Sequence, residues 1–537
     1  MKRIFVLAVL LAVGATLLPA PATAEDADLA SVGLAMHGYY RVRFNNMFNL
    51  NWATRDDSNW WSYMDQRMLL DTTLLIGDPI QINTELDVLS NVMYGHNTVQ
   101  VTPVVRTTRL PGAPEQIQRV QYDTLQFNTG NVFSESMTDT QRDRTDVAPI
   151  LVRQLYANVN LPIGYLRFGR MATNFGLGVF YNSGTPFGRV GGRPDVNDLN
   201  GGFYADSGDV YDRILFGSRI LGVWYPQIMY DRIAGNDFRS GKYDVHSFSL
   251  VNYVRDITFG DSGAFDAGLS ISGRFQDATK AKLWIYDLYG RLAYGGFNWA
   301  GEAVFLQGAM TVVPFDTVRR LHDAGVPTGQ GGGRIDTAAF LAVARFNYDA
   351  VRWGAGIEYG LSSPADANPD HEFSQTAADN VSQANAQAQT DPQDSATQVD
   401  FVDTVVHNQA AFGRRIKSYP FDPNYYVDLI CWRLLMGGQV ENGMYFRGGG
   451  FIRPLDGMYI DLYVINSYIN EPYLGTNGRA ASHSLGWESD VSFAYTFYKR
   501  FTAGFQTGYF FPGQYFTDVF GNAHNVFTLQ MRTIVDF

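Results

Sequence analysis

The 537-residue chain has one cysteine, only 18% charged residues, and no apolar run of 18 residues beyond its N-terminal stretch. A single cysteine excludes a disulfide framework and any cysteine-rich metal site. Without a long apolar run downstream, no membrane-spanning helix is available. Basic residues are also in the minority, 41 against 53 acidic ones, for a net charge of -12. Nucleic acid requires a basic face and is not expected as a partner. Catalytic signatures are missing as well. The chain contains neither His-Glu-x-x-His nor Gly-x-Ser-x-Gly, and the run from Gln330 to Gly333 lacks the Lys-Ser/Thr that a phosphate loop needs. His483 lies between Ser482 and Ser484, but adjacency in sequence does not build a catalytic triad. The reading is of a protein that is not an enzyme and needs no cofactor.

What the chain does have is aromatic surface: 37 Phe, 31 Tyr and 9 Trp, 14% of all residues, which argues against disorder. Met1 to Ala24 reads as a secretory signal. Lys2 and Arg3 form the basic start, Ile4 to Leu18 the apolar core, and Ala22-Thr23-Ala24 the small-residue cleavage site. The exported remainder, 25–537, is then either a soluble β protein or a membrane barrel whose polar lumen dilutes its apolar skin.

Alternation fixes the class as all-β. Leu34, Met36, Tyr40, Val42 and Phe44 share one parity, while His37, Tyr39, Arg41 and Arg43 share the other. Ile80, Ile82, Leu86 and Val88 oppose Gln81, Asn83, Glu85 and Asp87 in the same way. Leu485, Trp487, Val491, Phe493 and Tyr495 oppose Glu488, Asp490 and Ser492. A period of two sends alternate side chains to opposite faces of a sheet.

About eighteen such segments (range 16–20) recur from 34–46 to 525–537. Short connections such as Gly77-Asp78-Pro79, Pro162-Ile163, Gly295-Gly296 and Lys499-Arg500 alternate with long ones. The principal long excursions are 94–149, 174–211, 310–334 and 363–442. Short periplasmic turns and long external loops mark a transmembrane antiparallel up-and-down β-barrel. The segment Tyr426 to Gly437 would make a nineteenth strand and put the C-terminus on the wrong side. It is placed instead as a short helix within the 363–442 excursion, with Cys431 packed on it. Aromatics at strand ends, among them Tyr294, Phe297, Trp299, Tyr498 and Phe501, suit interfacial girdles. The last strand ends on Phe537, and a terminal aromatic on an amphipathic final strand resembles the assembly signal of bacterial outer-membrane barrels.

Leu166-Arg167-Phe168-Gly169-Arg170-Met171, followed by Phe175-Gly176-Leu177-Gly178, resembles a strand-and-loop motif of alginate-export-type barrels and related porins. With Asp206 to Arg213 and Asp422 to Leu429, the chain is also similar to outer-membrane barrels known mainly from myxobacteria. The resemblance implies an 18-stranded outer-membrane pore, in its better-known relatives a route for an acidic exopolysaccharide. Those relatives have a strongly cationic lumen.

The polar parity supplies candidate pore-lining residues: Arg41, Arg43, Arg67, Arg167, Arg213, Arg219 and Arg532 against Asp65, Asp71, Glu85, Asp87, Glu302, Glu358, Glu488 and Asp490. The signs balance over the lumen, so a uniformly cationic tunnel is not expected. Local grouping is more informative, because the first, second and last strands become neighbours on closure. Two readings stand: a basic stripe facing an acidic one, whose transverse field orders water and hydrated solutes, or arginines that simply pair with acids on adjacent strands. Asp195, Asp198, Asp206, Asp209 and Asp212 form an acidic stretch of hard oxygen ligands, a candidate calcium loop. Leu199 falls where the EF-hand pattern needs a ligand, which favours a plain solvated loop. Residues 363–400 read as a flexible loop or lid.

The expected function is an outer-membrane pore for hydrated solutes or an exopolysaccharide. The alternative is a non-conducting surface barrel whose loops bind a ligand, matrix or phage. Expected partners are outer-membrane lipid and lipopolysaccharide, the assembly machinery and periplasmic secretion components.

Overall fold

In the computed structural model the structure describes residues 32–50, 60–77, 79–93, 104–109, 118–123, 150–184, 208–234, 244–277, 280–311, 334–364, 415–472 and 479–537. The expected signal segment 1–24 lies outside the described residues, as do Asp195, Asp198 and Asp206.

The wall consists of β1 (Val32–Phe48), β2 (Trp60–Ile76), β3 (Ile80–Met93), β4 (Ile150–Leu161), β5 (Gly164–Ala172) and β6 (Val210–Gly217). It continues with β7 (Trp224–Ala234), β8 (Val245–Phe259), β9 (Gly263–Gln276), β10 (Ala281–Tyr294), β11 (Phe297–Thr311) and β12 (Arg334–Asp349). The last third is β13 (Trp353–Ser362), β14 (Gly443–Ile452), β15 (Met458–Ile469), β16 (Ser484–Phe497), β17 (Phe501–Pro512) and β18 (Val526–Asp536). Each strand pairs antiparallel with its sequence neighbours, and β1 pairs with β18 to close the ring. This is an 18-stranded transmembrane up-and-down barrel. Short connections such as 162–163, 295–296 and 498–500 lie at one end, and the long excursions lie at the other, where the four-residue link 277–280 is the exception. Tyr426 to Gly437 is not in the wall; it holds a single π-turn, Cys431–Leu435, within an excursion that enters the barrel.

Parity works as the alternation requires. In β1, Leu34, Met36 and Phe44 are exposed outside, while Arg41, Arg43, Asn45 and Met47 are buried inside. Further round the wall the exterior carries Ile228, Leu250, Leu269, Leu288, Ile357, Leu462 and Val464. Exposed aromatics bracket this band. Phe259, Tyr294, Phe297, Trp353, Tyr498 and Phe501 stand at the short-turn end, and Trp60, Phe248, Trp284, Trp487 and Phe511 at the other. Such an outward apolar band between two aromatic girdles matches a hydrocarbon layer and its interfaces.

The seam is the one joint not made between consecutive strands. It runs in register from Tyr39 opposite Asp536 to Phe48 opposite Phe527. Gly38 donates its N–H to the Phe537 carbonyl (3.1 Å), and Phe537 donates back to Gly38 (3.0 Å). A Cβ on Gly38 would run into the Leu69 carbonyl and the Phe537 ring. Gly38→Val should therefore hinder closure, and unheated electrophoresis should show less of the compact barrel band. An undiminished band would mean that the seam tolerates the added bulk.

Candidate functional site

The lumen is the only face where the predicted charged residues of the wall can converge. On β18, β1 and β2 the register sets Arg43 opposite Arg532 and Arg41 opposite Arg67. Two aspartates stand among these four arginines. Arg43 Nε meets Asp65 Oδ1 at 2.8 Å, and Arg67 meets Asp87 at 2.8 Å while donating to the Tyr39 hydroxyl, also at 2.8 Å. All six charged groups are buried. An arginine fork against a carboxylate in such surroundings is held by geometry as well as by charge.

Elsewhere pairing dominates. Arg213 forks onto Asp231 at 2.5 and 3.0 Å. Arg345 and Arg447 share Glu358 at 2.6 and 3.0 Å, and Tyr445 donates to the same carboxylate at 2.6 Å. Arg167 takes an amide partner instead, donating to Asn158 at 2.8 Å while stacking on Tyr165. Glu85 accepts from Gln154 at 2.7 Å, and Asp71 stands opposite both His37 and Glu85 at the less buried short-turn end. Arg219 is not on the lumenal wall. It lies exposed in the β6–β7 turn, donating to the Gly222 carbonyl at 3.0 Å.

Of the acidic stretch, Asp212 lies on the outer face and pairs with Arg170 at 2.8 Å. Asp209 accepts from the Tyr211 hydroxyl at 3.2 Å. These two residues are thus used separately, and among the described residues no group of three metal-ligating side chains forms. Desolvation pushes the Asp209 carboxyl up to about 6, against the nearby Arg274, which lowers it.

Sequence reading placed 174–211 and 363–442 outside the barrel. Residues 173–184 instead fold inward and are largely buried, as are residues 418–440. The signal was in the sequence: Phe175, Leu177, Val179 and Phe180, and Val427, Leu429, Ile430 and Trp432, are too apolar for a solvated loop. The two segments touch each other. Asp422 donates its N–H to the Val179 carbonyl at 2.7 Å, and the Phe180 and Tyr419 rings lie 5.5 Å apart.

Wall charges tie this lumenal body down. Glu302 accepts the N–H groups of Leu177 and Val179, and Glu488 accepts those of Leu429 and Cys431. Arg447 donates to the carbonyls of Tyr426 (3.3 Å) and Val427 (3.2 Å), and Arg345 to the Tyr425 hydroxyl (3.2 Å). Asp490 is the lumenal neighbour of Glu488, two residues along β16. Within the body, Asp428 accepts from the N–H groups of Trp432 and Arg433 and so caps the π-turn. Burial holds the Asp428 carboxyl up at about 6, despite those amide bonds. Asp231 and the inward course of 173–184 were missed from sequence. In β7 the lumenal parity mixes Tyr225, Gln227, Met229 and Asp231, so alternation gives no clear side.

Removing one member of a buried pair leaves the other charge stranded, at a cost of about 3–5 kcal/mol. Arg67→Ala, which strands Asp87, should lower barrel stability by that order in urea titrations followed by tryptophan fluorescence. A midpoint that does not move would show that Asp87 has another counter-charge.

No family model matches the chain, and no curated protein matches it. Among solved structures it is similar to OccK8 (OprE) of Pseudomonas aeruginosa, at 11% identity over 94% of this chain and 97% of that one, TM-score 0.45. OpdK of the same organism, crystallised with vanillate, aligns at 9% identity over 94% and 98%, TM-score 0.47. OccK9 (OpdG), also from Pseudomonas aeruginosa, aligns at 10% identity over 94% and 98%, TM-score 0.47.

Proposed function

We propose that the protein is an outer-membrane pore for small hydrated solutes. The observation that carries this reading is a closed wall of 18 strands with apolar residues outside and charged and amide groups inside. Barrels of 16–18 strands are wide enough to leave an aqueous channel. The short-turn end is then periplasmic and the long-loop end external, as in bacterial barrels generally. The final strand, ending on Phe537 at the seam, would be the segment that the assembly machinery engages. Lipid and the outer leaflet would contact the apolar band and its girdles.

Within this reading the lumenal body favours small solutes over a polysaccharide. A body formed by 173–184 and 418–440 takes up part of the cross-section that a polymer would need. The same body supports a second reading, a barrel that does not conduct and presents its outer loops to a ligand. Single-channel recording in planar bilayers separates the two: discrete conductance steps support the pore, and a silent bilayer containing folded protein overturns it.

The arginine group of β18, β1 and β2 brings four guanidinium groups side by side, with Asp65 and Asp87 forked onto two of them. Fixed charges of one sign along a narrow path set ion preference. Converting Arg41, Arg43 and Arg67 together to Gln should move the reversal potential under a salt gradient towards cation preference. An unmoved potential would mean that permeating ions do not sense this group.

A further inference from the structure

Two wall glutamates hold main-chain amides of the folded-in loops. Glu302 on β11 faces the lumen and is buried, with its carboxylate clasped by the N–H groups of Leu177 and Val179. Gly176 and Gly178 make this possible. Their φ angles of +58° and +83° alternate the chain so that successive amides turn to one side, forming an anion-holding nest. A Cβ on Gly176 would overlap the Glu302 carboxylate. Glu488 on β16 repeats the arrangement on the second loop. It accepts from Leu429 at 2.8 Å and from Cys431 at 2.9 Å, again residues two apart. The loops are joined to each other by the Asp422 to Val179 bond and by Phe180 against Tyr419. Each glutamate thus anchors one end of a continuous body, five strands apart around the wall.

We infer that Glu302 and Glu488 are paired latches of one lumenal body, so that releasing either loosens both loops. The inference rests on the pore reading only for what release does to current; the latch itself can be read without current. Cys431 is the chain's single cysteine and is 1% exposed, so it reports the seating of the second loop directly. Glu302 hydrogen-bonds the first loop, so an effect of Glu302 on Cys431 must travel through the join between the loops.

The experiment is labelling of the folded full-length barrel in liposomes with a membrane-impermeant maleimide, with folding checked by unheated electrophoresis. Gln at either glutamate position keeps the shape but replaces one acceptor oxygen by an N–H₂ group aimed at a backbone donor. Losing a charge-assisted bond of this kind should speed Cys431 labelling roughly ten- to a hundredfold in E488Q and also in E302Q. Gly176→Ala approaches the same latch from the loop side and should do likewise, while D71N, at the short-turn end, should label at the unsubstituted rate. Labelling in folded E302Q and G176A no faster than in the unsubstituted protein overturns the inference. So does acceleration in E488Q alone, which would make the loops independent. Faster labelling without any current in bilayers would sink the pore reading and leave the latch standing. Current with unchanged labelling would do the reverse.

Discussion

A sheet in hydrocarbon has no water to satisfy a free edge, and the architecture follows from that constraint. Each unpaired N–H or C=O at such an edge would cost several kcal/mol, so the wall must close on itself. Here the requirement falls hardest on the joint between β1 and β18, whose residues are nearly 500 positions apart. Gly38 and Phe537 complete that joint with reciprocal backbone bonds. Once the ring is shut, alternation does the sorting. Side chains of one parity meet lipid, and every charge on the other parity is confined with its neighbours.

Confinement explains why the interior charges are mostly matched. Arg213 with Asp231, and Arg345 and Arg447 with Glu358, sit where an isolated ion would be strongly disfavoured. The same groups take on a second task wherever a loop reaches inward. Carboxylates receive amides at Glu302 and Glu488, and Arg447 gives hydrogen bonds to carbonyls. A list of lumenal charges is therefore not yet a list of residues that anything entering the lumen would meet. The distinction lies in whether the nearest partner is a wall side chain, the backbone of a folded-in loop, or water.

Much of the wall was legible because its physical cause is local. Leu34 to Phe44 and Trp487 to Tyr495 alternate cleanly, whereas Leu485, expected on the outward parity, is buried where the register shifts beside Gly486; two-residue turns such as Gly295-Gly296 leave little freedom in where strands end. The grouping of Arg41, Arg43, Arg67 and Arg532 could also be foreseen, since it needs only closure and parity. The interior of the loops was not legible. Phe175 to Tyr181 looks like a loop by its glycines, and only its apolar side chains hint that it avoids water. Which carboxylate receives it depends on Glu302, more than a hundred residues later, and no local pattern encodes that meeting. Arg219 was misjudged for the opposite reason: its parity suited the lumen, but the strand had already ended at Gly217.

The join between the two folded-in loops also sets an order of assembly. Residues 173–184 follow β5, yet their carboxylate partner lies on β11 and their backbone partner, Asp422, lies beyond β13. The second loop in turn waits for Glu488 on β16. No N-terminal portion of the chain contains a complete set of these partners until most of the wall exists. Contacts so distant in sequence carry a high loop-closure cost and form late. The interior must therefore be furnished after the walls are up, and a barrel can hold a sound wall while its interior is still unmade.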